Sequence, residues 1–382
     1  MEVVWVILQI AIGYHLAIPM LLYITYLLIK KQKAFIKNPG EADYAFIVTA
    51  YEQTDLLEQV VNSILNINYS NYLVYIVADK CDVSNLVFND PKIYLLTPEN
   101  TLSSNTRSHF YAINRFVRKH ERLTIIDSDN LVDREYLQEL NKFFDKGYLA
   151  VQGVREAKNL NTPYACLDAA RDLYYHFYDG KVLFGLGSSA TLAGSGMAFN
   201  TELYKQCLQH LDVIGAGFDK VLQFEIVKRG QRIAFAQNAI VYDEKTAKPD
   251  QLVKQRARWI NTWFKYFSYG FKLIAEGVKT GSVNQLLFGF ILLRPPLFIF
   301  LLSAVFCLFL NVFFSPVAAI IWTIGMVLFV AGFLIALVNT KIDSRIYSAL
   351  ISIPKFMFFQ VLSLTKAHKA NKISVATRHD YN

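Results

Sequence analysis

The chain has 382 residues, enough for two or three domains, and carries 39 basic against 31 acidic side chains, a net charge of 39 − 31 = +8. Its 53% hydrophobic content is high for a water-soluble protein and concentrates at the two ends, which argues against a purely soluble chain. Nucleic acid is not an expected partner, because the basic excess suits anionic lipid headgroups and no stacking or groove-reading motif accompanies it. Cys81, Cys166, Cys207 and Cys307 show no pairwise metal spacing and read as reduced, buried side chains.

Val4–Ile29 contains no Asp, Glu, Lys or Arg and is long enough to span a bilayer. Lys30, Lys31 and Lys33 come directly after it, placing residue 30 onward in the cytoplasm by the positive-inside rule. The run is too long for a signal-peptide core and lacks a basic start, so it reads as a retained anchor. The polar stretch Lys37–Asp43 is the hinge between this anchor and an α/β domain.

Residues 42–247 alternate strand and helix, the pattern of such a domain with a largely parallel sheet. Ala45–Ala50, Tyr72–Ala78, Ile93–Thr97, Leu123–Asp127 and Tyr148–Gly153 read as strands. Thr54–Ile67, Asn105–His120 and Asp133–Lys146 have helical spacing, the last capped by Asp133 and ended by Gly147. Gly194-Ser195-Gly196 precedes an apolar strand and reads as a bulge or turn in preference to a substrate loop. Phe218–Arg229 is a helix stopped by Gly230, leading into the strand Arg232–Ala236.

Pro295–Phe314 and Val317–Val338 are two further uncharged runs joined by a tight turn at Ser315-Pro316. Ile346–Leu364 is interrupted by Pro354 and Lys355, and a crossing would put Lys366, Lys369, Lys372 and Arg378 outside; an interfacial helix fits the charge rule better. The expected layout is an anchor over 1–33, a catalytic domain over 34–247, interfacial helices over 248–294, two spans over 295–338, and an interfacial helix with a basic cytoplasmic tail over 339–382.

The chemistry-bearing residues sit at strand ends and helix starts. Leu123–Asp129 is an apolar run ending in Asp127-x-Asp129. Strand ends open onto the ligand crevice of an α/β sheet, and paired carboxylates there can hold a divalent cation against a diphosphate. Asp79 ends the second strand, as a nucleotide contact or as a turn former. Asp219 opens a helix, where the dipole favours a carboxylate; it is either a general base or an N-terminal charge. Gln255-Arg256-Ala257-Arg258-Trp259 can clamp a diphosphate through arginine and stack a sugar on indole, or can be a basic, aromatic membrane-surface helix.

Asp79, Asp127-x-Asp129, Asp219, Gln255-x-x-Arg258-Trp259 and spans, in that order, resemble the membrane-embedded family 2 glycosyltransferases that include cellulose, chitin and hyaluronan synthases. Val77-Ala78-Asp79-Lys80-Cys81-Asp82, Ile126-Asp127-Ser128-Asp129-Asn130 and Ile240-Val241-Tyr242-Asp243-Glu244 are similar to segments of bacterial members. The resemblance implies a cytoplasmic GT-A domain (a Rossmann-like, mostly parallel sheet) that uses a nucleotide sugar, usually UDP-linked, with Mg²⁺ or Mn²⁺. It assigns Tyr51, Glu52, Asp79 and Asp127 to the nucleotide, Asp127 and Asp129 to the metal, Asp219 to the base, and Gln255, Arg258 and Trp259 to the acceptor and diphosphate. Three departures bear on the donor. Tyr51-Glu52-Gln53 replaces Tyr-Asn-Glu, Gly217-Phe218-Asp219 replaces Thr-Glu-Asp, and Ser108-His109-Phe110 replaces Gly-Lys-Gly.

The function expected is inverting transfer of a sugar to a growing polysaccharide at the cytoplasmic face of the cell membrane, coupled to export. The alternatives are a non-processive glycolipid transferase and a catalytically silent membrane scaffold. Three spans give little wall for a glycan channel, so residues 284–294 and 346–364, a second protomer or an export partner would complete it. Arg294 would line its mouth or snorkel to the headgroups.

Overall fold

The computed structural model describes residues 2–29, 41–340, 342–368 and 370. The orienting lysines Lys30, Lys31 and Lys33, most of the Lys37–Asp43 hinge, and Lys369, Lys372 and Arg378 lie outside the described residues.

After α1 (Glu2–Leu28) the chain forms β1 (Tyr44–Tyr51), α2 (Leu57–Leu65), β2 (Tyr72–Asp79), β3 (Ile93–Leu96), α3 (Asn105–Ile113), β4 (Arg122–Asp127), β5 (Leu131–Val132), α4 (Tyr136–Phe144) and β6 (Ala150–Ala157). α5 (Pro163–Tyr175) continues through a π-helical stretch (His176–Val182) into the single turn α6 (Leu183–Gly185). Then come β7 (Met197–Asn200), α7 (Thr201–Leu208), α8 (Phe218–Lys228), β8 (Ile233–Asp243) and α9 (Pro249–Tyr266). The last helices are α10 (Tyr269–Thr280), α11 (Val283–Leu293), α12 (Leu297–Phe314), α13 (Pro316–Val338), α14 (Ser344–Ala349) and α15 (Ile353–Ala367).

The eight strands of the described residues form one sheet in the order β3-β2-β1-β4-β7-β6-β8-β5. It is mixed: β7 runs antiparallel to both β4 and β6, and β5 antiparallel to β8. The period-2 alternation of strands divides the core between the faces. Ala45, Ile47, Tyr75 and Val77 pack with α8 on one side, and Tyr44, Phe46, Val48 and Ile76 with α2 and α4 on the other. Parallel register sets Tyr51 opposite Asp79 and Thr49 opposite Asp127, so these strand ends share one edge.

Two strands outrun their sequence signals. Gly153 looks like a terminator, yet β6 continues past it to Ala157. Its register against β8 shifts at this point, and a Cβ on Gly153 would lie 2.4 Å from the Ala239 carbonyl oxygen, so the glycine marks a bulge. β8 likewise runs through the exposed Gln237 and Asn238 to Asp243. Asp133 does not cap α4; its Oδ1 accepts from Glu135 N (2.9 Å) in the turn before the helix.

Among the described residues, four helical segments, Val3–Leu28, Leu297–Phe314, Pro316–Val338 and Ser344–Ala367, are long and apolar enough to cross a membrane, one more than the three spans expected. Pro354 does not break the last one, because it sits in the first turn of α15, where no amide donor is needed. Ser315 ends α12 and caps α13 with Pro316 at its first position, the expected tight turn. Leu16, Phe300, Trp322 and Phe329 join α1, α12 and α13 to Tyr174 and Tyr178 of the α5 region, and Tyr178 Oη donates to the Gly332 carbonyl at 2.9 Å. Gln9 Oε1 accepts from Asn311 Nδ2 (2.6 Å) and Trp322 Nε1 (2.7 Å), cross-linking the three helices.

Candidate active site

A cavity of about 650 Å³ lies between the carboxyl edge of the sheet, α8, α9 and the start of α12. β4 delivers Asp127 to it after five buried residues, and the Asp127 amide donates to Ser195 Oγ at 3.0 Å. Ser195 sits between Gly194 (φ +89°) and Gly196 (φ +66°), and a Cβ on Gly196 would meet Val241 Cγ2 at 2.8 Å. This segment is the expected turn, and Thr191–Gly194 also forms cavity wall. Asn130 Nδ2 donates to Asp129 Oδ1 (3.1 Å), and Lys158 Nζ to the Asp129 carbonyl (3.1 Å).

Asp219 enters in the first turn of α8, which Gly217 opens at φ +104°. Lys220 Nζ lies 2.9 Å from Asp219 Oδ2 and also donates to the Leu192 carbonyl at 3.0 Å. One turn on, Gln223 Oε1 accepts from the Leu192 amide at 3.0 Å. α8 therefore grips both sides of the Leu192 residue and fixes the wall beside Asp219.

Behind the carboxylates lies a buried ionic network. Arg155 Nη2 is 2.7 Å from Asp243 Oδ2, and Lys245 Nζ, almost fully enclosed, bridges Asp243 (2.8 Å) and Asp172 (2.6 Å). Arg171 pairs with Asp172 and Asp168, and Arg256 with Asp168. Burial by itself would lower the Arg155 pKa, but Asp243, Asp127, Asp172 and Asp129 hold it above its ordinary value. Burial by itself would raise Asp172, yet Arg171 and Lys245 keep it well below the usual carboxylate range. His176, in the π-helical stretch, is pushed down to about 4, chiefly by burial.

α9 carries the remaining motif. Gln255 Oε1 accepts from Thr246 Oγ1 at 3.2 Å, and burial lowers the pKa of Arg258. The Trp259 ring is engaged within the protein: the Arg171 and Arg256 guanidiniums lie 4.1 and 4.0 Å from its centre. Arg294 lines the cavity but does not snorkel; it is buried in a two-toothed pair with Asp179 of the π-helical stretch, one bond being 3.1 Å.

Tyr51, Asp127, Asp129, Asp219, Gln255, Arg258 and Trp259 thus meet in one cavity. Asp79 and Glu52 are not among its lining residues. Asp79 is buried and accepts from the Leu102 (2.9 Å) and Ser103 (2.7 Å) amides, and Tyr51 Oη reaches Ser103 Oγ at 3.3 Å. It supports the wall at one remove. Glu52, at φ +60°, pairs with Lys80 at 2.7 Å on the surface. Sequence reasoning missed Arg155, Arg171, Asp172, Lys245 and Gln223. The signal available for Arg155 was a charge lying past a glycine in an otherwise apolar strand.

The fold resembles the structure of the mannosyltransferase PcManGT from Pyrobaculum calidifontis in complex with GDP-Man and Mn²⁺, with a TM-score of 0.61 at 15% identity, over 94% of this chain and 98% of that one. The S. aureus TarS 1–349 structure in complex with UDP-GlcNAc is a weaker likeness, with a TM-score of 0.45 at 12% identity over 86% and 92% of the two chains. No curated protein sequence matches the chain. Residues 39–262 match the family model described as glycosyltransferase like family 2. With more than half of its residues matched and a GT-A-like sheet bearing this cavity, the chain belongs to glycosyltransferase like family 2.

Proposed function

We propose that the protein is an inverting, cation-dependent transferase that moves a sugar from a nucleotide donor to an acceptor at the cytoplasmic face of the cell membrane. The observation that carries this is the meeting of Asp127, Asp129, Asp219, Gln255, Arg258 and Trp259 in one cavity. UDP is the first nucleotide to test, because the resembled family usually uses UDP-linked sugars, and GDP is the second, because the PcManGT structure is a complex with GDP-Man.

Asp127 and Asp129 fit a Mg²⁺ or Mn²⁺ site by donor chemistry. Among the described residues no group of three or more acidic, Cys or His side chains gathers to enclose an ion. Two carboxylates plus phosphate oxygens and water are the usual surroundings of Mg²⁺ at phosphate sites. A bound cation supplies charge that offsets the leaving diphosphate.

Asp219 removes the proton of the acceptor hydroxyl as that oxygen bonds to the anomeric carbon. The bond to the diphosphate oxygen breaks on the opposite face, so configuration inverts and the electron pair leaves with the nucleoside diphosphate. Arg258 faces that charge, an interaction that strengthens as the bond breaks. The test is release of nucleoside diphosphate from UDP-GlcNAc and GDP-mannose by the purified chain, with and without Mn²⁺ or EDTA. Turnover that EDTA removes supports the reading; no turnover above background makes the chain a silent scaffold.

For the acceptor, the resemblance to polymer synthases points to a growing polysaccharide. The packing of α1, α12 and α13 favours a second reading, a lipid-borne acceptor. Trp322 and Leu16 fill the contact between α1 and α13, next to Gly13 and Gly325, and close these two helices on each other.

A further inference from the structure

Asp219 stands in the first turn of α8 without capping that helix: the cap position is Gly217, and no side chain closes the turn. Its carboxylate meets a cation instead. Lys220 Nζ lies 2.9 Å from Asp219 Oδ2, and among the described residues no other ion pair or hydrogen bond engages this carboxylate. Successive residues on a helix point about 100° apart, so an i,i+1 pair does not form by default. The lysine stem has to fold back along the turn, and the Leu192 carbonyl, which accepts from the same Nζ at 3.0 Å, is the second point that holds it there.

A solvated surface lysine would leave its ammonium in water. Here the ammonium is bonded to a carbonyl 28 residues away, and the carboxylate it meets keeps only 15% of its side chain exposed. Where the resembled family has an acidic residue just before the base, this chain has Phe218, and the charged neighbour is the cation that follows.

The strap that carries Leu192 is itself fixed. Gln223, one turn along α8 from Lys220 and fully buried, accepts from the Leu192 amide at 3.0 Å. The Ala193 amide donates to Gln152 Oε1 at 2.9 Å, and the Ala193 carbonyl accepts from Arg155 Nη1 at 2.7 Å. Ser195 Oγ accepts from the Asp127 amide. Residues 192–195 therefore tie the ammonium beside Asp219 to the strand end that delivers Asp127. Such a link matters because a misplacement of about 1 Å in a reacting group can cost on the order of 10²-fold in rate.

We propose that Lys220 is the positioning residue for the base. Its ammonium, tethered to the Leu192 carbonyl, holds Asp219 Oδ2 and turns Oδ1 toward the acceptor hydroxyl. In transfer the hydroxyl proton goes to Oδ1 and the ammonium keeps its own protons, so Lys220 acts through Asp219 and not on the sugar. This rests on the reading of Asp219 as the base.

Release of nucleoside diphosphate from UDP-GlcNAc and GDP-mannose with Mn²⁺ is measured on the full chain in detergent for the wild type, K220M, K220R, D219N and the double variant D219N/K220M. K220M, close in shape but uncharged, lowers kcat by ~10-fold, the scale of a base that is present but misplaced. Its donor KM moves by less than about 2-fold, well inside one pairwise contact. K220R, which keeps the charge, recovers part of the loss. In the D219N background the lysine change has no further effect, because a group that acts only through the base has nothing left to hold. An unchanged kcat in K220M, or a ~10-fold loss repeated in the D219N background, overturns the proposal. A rise in donor KM with kcat kept overturns it too, by assigning Lys220 to the nucleotide sugar. Should K220M unfold, K220Q takes its place under the same criteria. A fully active D219N is the failure of the base reading, and no turnover by the wild type is the failure of the transferase reading. Each would take the proposal with it, and each shows without any change at Lys220.

Discussion

The two ends of the cavity are built on opposite principles. At the carboxylate end, Asp127, Asp129 and Asp219 are delivered by a strand terminus and a helix start, and Asp219 keeps 15% of its side chain exposed. At the arginine end, Arg155, Arg171, Lys245 and Arg256 converge from β6, α5, the segment after β8, and α9, each paired with a carboxylate, and Lys245 and Arg256 are almost fully enclosed. The first arrangement sets its carboxylates in the cavity wall. The second commits most of its charge to its own partners, because an unpaired buried ion is far costlier than an exposed one. Charged residues in one cavity thus divide into those that act on a ligand and those that hold the wall.

The substitution that should break this comparison most strongly is Lys245→Met. It leaves Asp172 and Asp243 short of a cation, and removal of one member of a buried ionic group typically costs about 3–5 kcal/mol. A large fall in the unfolding midpoint in detergent is expected, with whatever activity survives keeping its donor KM. An unchanged midpoint would show that the arginine end is not structural.

Asp219→Asn is the mirror case. It should leave stability and nucleotide binding near wild type and slow transfer by ~10²-fold, about 2.7 kcal/mol of barrier. A fully active Asn variant would remove Asp219 from the base role.

Trp259 packs within the arginine end. Its ring carries two guanidiniums, so Trp259→Leu should lower stability by about 1–2 kcal/mol, with Phe restoring part of it. If the ring serves only to stack a sugar, Leu would leave the midpoint in place and raise the acceptor KM instead.

The effect that is absent at neutral pH is a pH dependence at the arginine end. His176 has its pKa lowered from 6.5 to about 4 in the fold. Between those values the unfolded chain binds a proton that the folded chain does not, so acidification through that window favours unfolding and no contribution remains above it. His176→Gln should flatten the fall in unfolding midpoint between pH 6.5 and pH 4. An equally steep fall in the variant would place the sensitivity elsewhere.

Much of the carboxylate end was legible in the sequence because each acidic residue ends or begins a local element. Asp127 closes an apolar run, and Asp219 opens a helical period, so short-range pattern alone places them. Arg155 was not legible. Gly153 reads as a strand terminator, and only the close approach of the Ala239 carbonyl shows that it is a bulge carrying β6 onward. Asp79 was legible as a strand end, yet its partners, the Leu102 and Ser103 amides, lie 23 and 24 residues away and no local signal announces them.

Composition and periodicity by themselves determined the alternation of strand and helix, the apolar helices at both ends and the motif residues, because each depends on backbone period and hydrophobicity along a short stretch of chain. Which side chains face one another was decided only in three dimensions. The pairing of Arg294 with Asp179 joins residues 115 apart, the clasp of Trp259 by Arg171 and Arg256 depends on α9 meeting α5, and Gln360 reaches the cavity because α15 packs along α9. Contacts of that kind depend on how whole elements dock, and the docking energy is spread over many apolar residues, none of which names its partner.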